Sequence, residues 1–275
     1  MCRTHIRSSL VLFALLQVSE ATAQQNYHKV ASLDYCADQF VLKLVEPARI
    51  AAVSKDADRE FSYMRDSAAG HKKIRPSAEE VLAVDPDLIV RSYGGGPNAR
   101  QFYESIGLTV VQIGYATTIE DVSGEVERVG GLLGRAAEAE SVVRDMDQRL
   151  ARLTRQAQDV ETSILYVTPG GVTTGPGTLV HMLIVAAGLK NFEQSPGWRS
   201  LPLEKLAFDQ PELLATAFYN DRINHENFWS AARHPIIRKQ LSATRTIALE
   251  GATTSCGGWF LVDAVEQLAQ GVTRP

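Results

Sequence analysis

The sequence predicts an α/β protein of two lobes, each a mainly parallel sheet with flanking helices, bridged by a single long helix. Three observations carry that expectation. Short apolar runs alternate with helix-period segments in both halves of the chain, the pattern of parallel strands covered on both faces. A stretch of about forty residues beginning at Ile119 is helical in period and separates the halves. Residues 77–92, SAEEVLAVDPDLIVRS, are nearly repeated at 202–217 as PLEKLAFDQPELLATA, with Glu79 and Glu204 each seven positions before a proline, Pro86 and Pro211.

Taken in order, MCRTHIRSS carries Arg3 and Arg7, LVLFALLQV is apolar, and Ala21–Ala23 offers a small-x-small cleavage site. That is the layout of a secretory signal peptide cut after Ala23, with an apolar run too short to span a bilayer. Cys2 lies too early in this leader to serve as a lipid anchor, so a soluble exported protein is expected. KVASL reads as a strand, and Asp34 or Asp38 can cap the helix QFVLKLV. RIAAVS is a second strand. The polar stretch 55–77 has neither period and reads as a long surface loop with a short helix.

Glu79 to Val84 then forms a short helix that Pro86 ends, and DLIVRS is an apolar strand. YGGGPN is a turn, ARQFYESIG a helix closed by Gly107, and LTVVQIG another strand. Ile119, Val122, Val126, Val129 and Leu132 mark one helix, broken at Gly130, Gly131 and Gly134. Ala139, Val142, Val143, Met146, Leu150 and Leu153 mark a second, from Ala136 to near Gln158. At its length of about 35 Å it can cross from one lobe to the other. Strand SILYVT, loop PGGVTTGPGT, helix LVHMLIVAAGL and a Trp-containing loop follow. Then come the second repeat, a short helix near NHENFWSAARHP, strand RTIALE, loop GATTSCGGW and closing helix FLVDAVEQLAQ. The expected organisation is a leader at 1–23, an N-terminal lobe at 24–134, an interlobe helix at 135–158 and a C-terminal lobe at 159–275.

The net charge of −4, with no basic run, argues against partners such as nucleic acid or an anionic membrane surface. Removing the leader leaves two cysteines, Cys36 and Cys256. In an oxidising compartment such a pair is most simply a disulfide; buried free thiols and a metal-thiolate pair are the alternatives.

No catalytic constellation emerges. TPGGVTTGPGT lacks the third glycine of a dinucleotide loop, and no G-x-S-x-G elbow occurs. His28, His71, His181, His225 and His234 are scattered without ligand spacing, so no dedicated metal site is expected. Aromatics and arginines gather instead in loops that follow strands: Tyr35, Tyr63, Arg65, Arg91, Tyr93, Tyr115, Trp198, Arg199, Trp229 and Trp259. Strand carboxyl ends are the ligand edge of open α/β sheets, and aromatic faces with guanidinium groups suit a large flat or anionic ligand. The ligand-binding candidates are Tyr35, Tyr63, Arg65, Arg91, Tyr93, Trp198, Arg199 and Trp259.

The segments VASLDYCADQFVLKLVEPARIAAVS, EEVLAVDPDLIV, IGLTVVQIG, TGPGTLVHMLIVAAGLKN and LPLEKLAFDQPELL, in that order behind a leader, carry a resemblance. Along most of its length the chain resembles the periplasmic substrate-binding proteins of ABC importers for ferric siderophores, haem and cobalamin. The resemblance implies two Rossmann-like lobes bridged by one rigid helix, with ligand held between them and modest closure. It also implies that a glutamate on each lobe, here Glu79 and Glu204, docks against arginines of a two-fold membrane permease. Where many members have a serine-proline-rich turn after the first strand this chain has DYC, and the aromatics used by cobalamin binders do not line up with its tryptophans, which sets cobalamin behind siderophore and haem.

The expected function is therefore capture without chemistry: a monomeric periplasmic protein, with no intrinsic cofactor, that delivers a metal chelate to a permease dimer. A ferric siderophore leads, with haem or cobalamin as alternatives of the same fold. An exported zinc or manganese carrier and an exported tetrapyrrole-binding enzyme are the readings from other classes.

Overall fold

Apolar residues on consecutive strand positions need cover on both faces, and two parallel sheets supply the setting. The computed structural model describes residues 27–156, 161–218 and 233–273. The expected leader and most of the short helix expected at 224–235 lie outside them. β1 (Val30–Ser32), β2 (Ile50–Ser54), β3 (Lys73–Ile74), β4 (Leu88–Arg91) and β5 (Thr109–Gln112) form a parallel sheet in the order β3-β2-β1-β4-β5. β6 (Ser163–Val167), β8 (Lys190–Asn191), β10 (Leu213–Ala217) and β11 (Arg245–Leu249) form a second, in the order β11-β10-β6-β8. The second sheet repeats the plan of the first without the edge strand β3. An antiparallel pair, β7 (Val172–Thr174) with β9 (Trp198–Ser200), is inserted beside it. Both of those segments read as loop in the sequence.

The duplicated motif falls at one structural stage in each lobe. Helix α2 (Ala78–Leu82) leads into the central strand β4, and helix α7 (Leu203–Phe208) leads into β10. Val81 packs under Ile89 in one lobe as Leu206 packs under Leu214 in the other, and all four are buried. Alternate residues of the same strands point the other way. Leu88 and Val90, like Leu213 and Ala215, enter one continuous core shared by both lobes.

That shared core is built by helices. α1 (Tyr35–Leu44) lies against the first sheet, with Phe40, Val41 and Leu44 inward, and α3 (Ala99–Ser105) covers the opposite face with Tyr103. α4 (Ile119–Leu132) and α5 (Ala136–Gln156) form a hairpin. Gly134, in the left-handed region at φ 70°, lets Arg135 N–H reach the Gly130 carbonyl at 2.7 Å, which closes α4. Gly130 is needed for a second reason: a Cβ there would sit 2.2 Å from that of Ala139. Met146 and Leu150 of α5 meet Ile119 and Val122 on one side. On the other they meet Leu183 of α6 (Leu179–Ala186) and Leu261, Val262 and Val265 of α9 (Leu261–Thr273). Helix α5, 21 residues over Ala136–Gln156, is packed against the shared core along its length. α8 (Pro235–Ala243), absent from the sequence reading, starts at His234-Pro235, with the imidazole accepting from Ile236 N–H. Among the described residues no helix is long and apolar enough to cross a membrane.

Asp38 on α1 is wholly buried. Its carboxylate accepts from Ser54 N–H at 2.9 Å, Ser54 Oγ at 2.6 Å and Ser32 Oγ, and so fastens the ends of β1 and β2 to the helix. Burial outweighs these bonds and pushes its pKa up to about 6. Between about pH 4 and pH 6 the folded protein keeps a proton that the unfolded chain releases, so this group's contribution to stability falls as pH rises. Asp38→Asn stays neutral and can still accept from Ser54 N–H. Its unfolding free energy should gain on the wild type by about 3 kcal/mol between about pH 3.5 and pH 7.5. Parallel denaturant curves across that range would show a constant difference if Asp38 ionised normally.

Candidate ligand-binding crevice

In the first sheet, strand order reverses direction between β1 and β4, and the loops after these strands diverge there. That is where an open α/β sheet leaves a crevice. Asp34, directly after β1, organises the site. One carboxylate oxygen caps α1 through Ala37 N–H at 3.0 Å. The other accepts from Ser92, Tyr93 and Gly94 N–H at 2.7, 3.0 and 2.8 Å, which holds the loop after β4. Gly94 allows that loop to lie flat on β1, since a Cβ would fall 2.4 Å from the Leu33 carbonyl oxygen.

This clamp sets Tyr35 beside Tyr93, ring centroids 6.0 Å apart, and Tyr35 also meets Phe61 edge-on at 4.7 Å. Partial burial, with the Asp34 and Asp56 carboxylates adding, pushes both phenols up, so both stay protonated across the physiological range. The result is a neutral aromatic ridge at the N-terminal switch point. Sequence reasoning missed Phe61, which sits in the irregular stretch with no pattern to mark it.

The carboxyl edge of the second sheet meets this ridge. Cys36, in the first turn of α1, is bonded to Cys256 in the loop after β11, with Cα atoms 5.6 Å apart. Beside the disulfide, Arg65 pairs with Glu250 at 2.6 Å. Tyr63 stacks on Phe260 at 4.5 Å and donates to Asp263 Oδ2 at 2.6 Å. Asp263 and Glu266 in turn accept from Arg149 of α5 at 2.5 and 2.6 Å, tying N-terminal loop, long helix and C-terminal helix together. On the C-terminal side, Trp198 of β9 is half exposed and leans edge-on toward Tyr166 at the end of β6. Arg199 extends next to it, 3.9 Å from the buried Glu193 carboxylate.

The eight ligand candidates therefore separate. Tyr35, Tyr93, Trp198 and Arg199 stand at the carboxyl edges with surface to offer. Tyr63 and Arg65 are spent on ties between the lobes. Arg91 is only 5% exposed, its guanidinium donating to the Gly94 and Gly96 carbonyls and to Gln112 Oε1, so it braces the glycine turn. Trp259 is 8% exposed and packs edge-on against Phe40, which makes it core. Those last two, expected to reach ligand, are buried. Each looks like a loop residue from its neighbours, and each is buried by a partner distant in the chain. Tyr115 is exposed after β5, and Trp229 lies outside the described residues. Among the described residues no three of His, Cys, Asp and Glu converge as a metal site.

Glu79 and Glu204 are both exposed, each in the first turn of its helix, and neither has a partner among the described residues. Their charged neighbours do. Glu80 accepts from Arg75 N–H at 2.7 Å, and Lys205 donates to the Phe192 carbonyl at 2.8 Å with its ammonium over the Phe192 ring. A helix that feeds a parallel strand runs antiparallel to it, so both first turns lie toward the carboxyl edges where the lobes meet.

Two lobes of one plan, joined along a helical seam with facing carboxyl edges, define a bilobal α/β binding protein. Comparison gives the family: a profile described as periplasmic binding protein matches residues 30–223, and the chain belongs to that family. It is 24% identical over 211 residues to the cobalamin-binding protein of Halobacterium salinarum, covering 74% of this chain and 57% of that one. It is 24% identical over 200 residues to the vitamin B12-binding protein of Photorhabdus laumondii, covering 70% and 69%. The fold is shared with the periplasmic heme-binding protein of Roseiflexus sp. RS-1 in its apo form. That match has a TM-score of 0.70 at 17% identity and covers 90% of this chain and 99% of the other.

Proposed function

We propose that this protein is exported, captures an electroneutral metal chelate between its lobes, and hands it to the two-fold permease of an ABC importer. Within that class a cobalamin comes first and a neutral ferric hydroxamate second. One observation carries the preference: the crevice has lost most of the cationic groups expected of it. Arg91 is buried in a turn and Arg65 is paired with Glu250, which leaves Arg199 as the exposed guanidinium of the three. The ridge is three aromatic rings near Asp34 and Asp56, with Lys55 and Arg59 lying 3.8 and 3.9 Å from Asp56. An anionic ferric catecholate, or haem with two propionates, would find little compensating charge there beyond Arg199, itself 3.9 Å from Glu193, and would pay a desolvation cost. A flat or bulky neutral chelate gains instead from stacking on Tyr35, Tyr93 and Trp198. The names of the two sequence relatives, cobalamin-binding and vitamin B12-binding, support the first place of cobalamin, ahead of the ferric siderophore and haem that the sequence favoured.

Quenching of tryptophan fluorescence, with Trp198 at the rim, tests this against cyanocobalamin, a ferric hydroxamate, a ferric catecholate and haemin. Cyanocobalamin should bind tightest, and Tyr93→Ala should weaken it about tenfold. Tightest binding of the catecholate or haemin would overturn the neutral-ligand reading.

A further inference from the structure

Beside each of the two free carboxylates stands a large apolar side chain that the fold does not use. Phe208, the last residue of α7 and four positions after Glu204, is 93% exposed. Leu82, three positions after Glu79 on α2, is 45% exposed. Residues three and four apart share a helix face, so each carboxylate and its apolar neighbour form one small patch. Aligned on the two glutamates, the pair Leu82-Ala83 becomes Ala207-Phe208. The bulky residue changes place by one position, and each lobe keeps one bulky and one small side chain there. Core packing does not require either residue: Val81 and Leu206 already fill the space beneath the strands.

We propose that Leu82 and Phe208 are apolar anchors of the docking surface, so that the partner presents two like sockets, each with a cation at its centre and an apolar wall. This rests on the proposed delivery to a permease and on the docking of Glu79 and Glu204 that the family resemblance implies. The charge selects the occupant. A second copy of this chain would bring carboxylate against carboxylate, whereas a two-fold membrane protein with basic sockets meets both patches at once. Division of labour follows from the physics. The carboxylates set encounter rate and register and are weakened by salt, while the apolar contacts hold the docked state and are not screened.

The test is docking onto the importer's permease–ATPase complex from the same cell, held in nanodiscs, at about 0.05 and about 0.5 M NaCl. Phe208→Ser should weaken docking about ten- to a hundredfold at both salt concentrations, and Leu82→Ser less, in line with its smaller exposed area. Glu79→Ala/Glu204→Ala should lose most at low salt and approach the wild type at high salt. Normal docking by Phe208→Ser while the glutamate variant fails would overturn the anchors and leave the carboxylate reading standing. Normal docking by both would bring down both. Sedimentation gives an independent check: a wild-type dimer that Phe208→Ser dissolves would assign this residue to self-association and overturn the proposal. Melting curves matching the wild type would confirm that the exposed substitutions leave the fold intact.

Discussion

Removing the Cys36–Cys256 disulfide should destabilise the protein by about 5 kcal/mol, more than any other single covalent or polar change considered above. The bond spans 220 residues of sequence, so it removes much of the loop-closure freedom of the unfolded chain. A change of that size corresponds to a fall in melting temperature of about 10 °C or more for a chain of this length. Cys36→Ser/Cys256→Ser and the reduced wild type should agree with each other and differ from the oxidised protein. The folded state should survive in all three, because Arg65–Glu250, Tyr63–Asp263 and the shared apolar core still join the lobes. Equal denaturation curves with and without reductant, or two reactive thiols in unfolded, unreduced protein, would count against the bond's contribution.

Glu79→Ala/Glu204→Ala should leave ligand affinity and stability close to the wild type and abolish chelate uptake. Both carboxylates are exposed and unpartnered among the described residues, so each substitution should cost within about 0.5 kcal/mol of stability. Single variants should be intermediate, since one lobe can still engage its half of the partner. Charge reversal, Glu79→Lys/Glu204→Lys, should be more severe, because a like charge against a basic socket repels. Uptake by the alanine pair at the wild-type rate would remove the docking assignment, and loss of ligand affinity would move both residues to the binding site.

The duplication was legible in sequence because its apolar positions are local and periodic. Val81 with Ile89, and Leu206 with Leu214, are spaced to pack a short helix onto the strand that follows it. The disulfide was legible because two cysteines leave one pairing. What stayed hidden depends on contacts remote in sequence. β7 and β9 are three residues each and pair across a helix and a strand, so neither carries enough alternation to stand out. Arg91 ends an apolar strand and reads as a group reaching for ligand. The acceptors that occupy it belong to a turn folding back and to Gln112 on the neighbouring strand. Trp259 looks like a loop aromatic until Phe40, from the other lobe, covers it. Asp38 was a candidate cap, but Asp34 takes that place and Asp38 turns inward to the two serines. The candidate site was thus legible as a set of loops, while the pairing of Arg65 and Arg91 depends on partners that those loops do not reveal.

The staple between Cys36 and Cys256, backed by the ion pair and the phenol beside it, leaves the two halves little room to swing apart. On the proposed function, an empty molecule should have nearly the same silhouette as a laden one. A transporter that recognises the outside of such a courier would then be unable to sort full from vacant by shape, and an excess of vacant couriers should slow delivery.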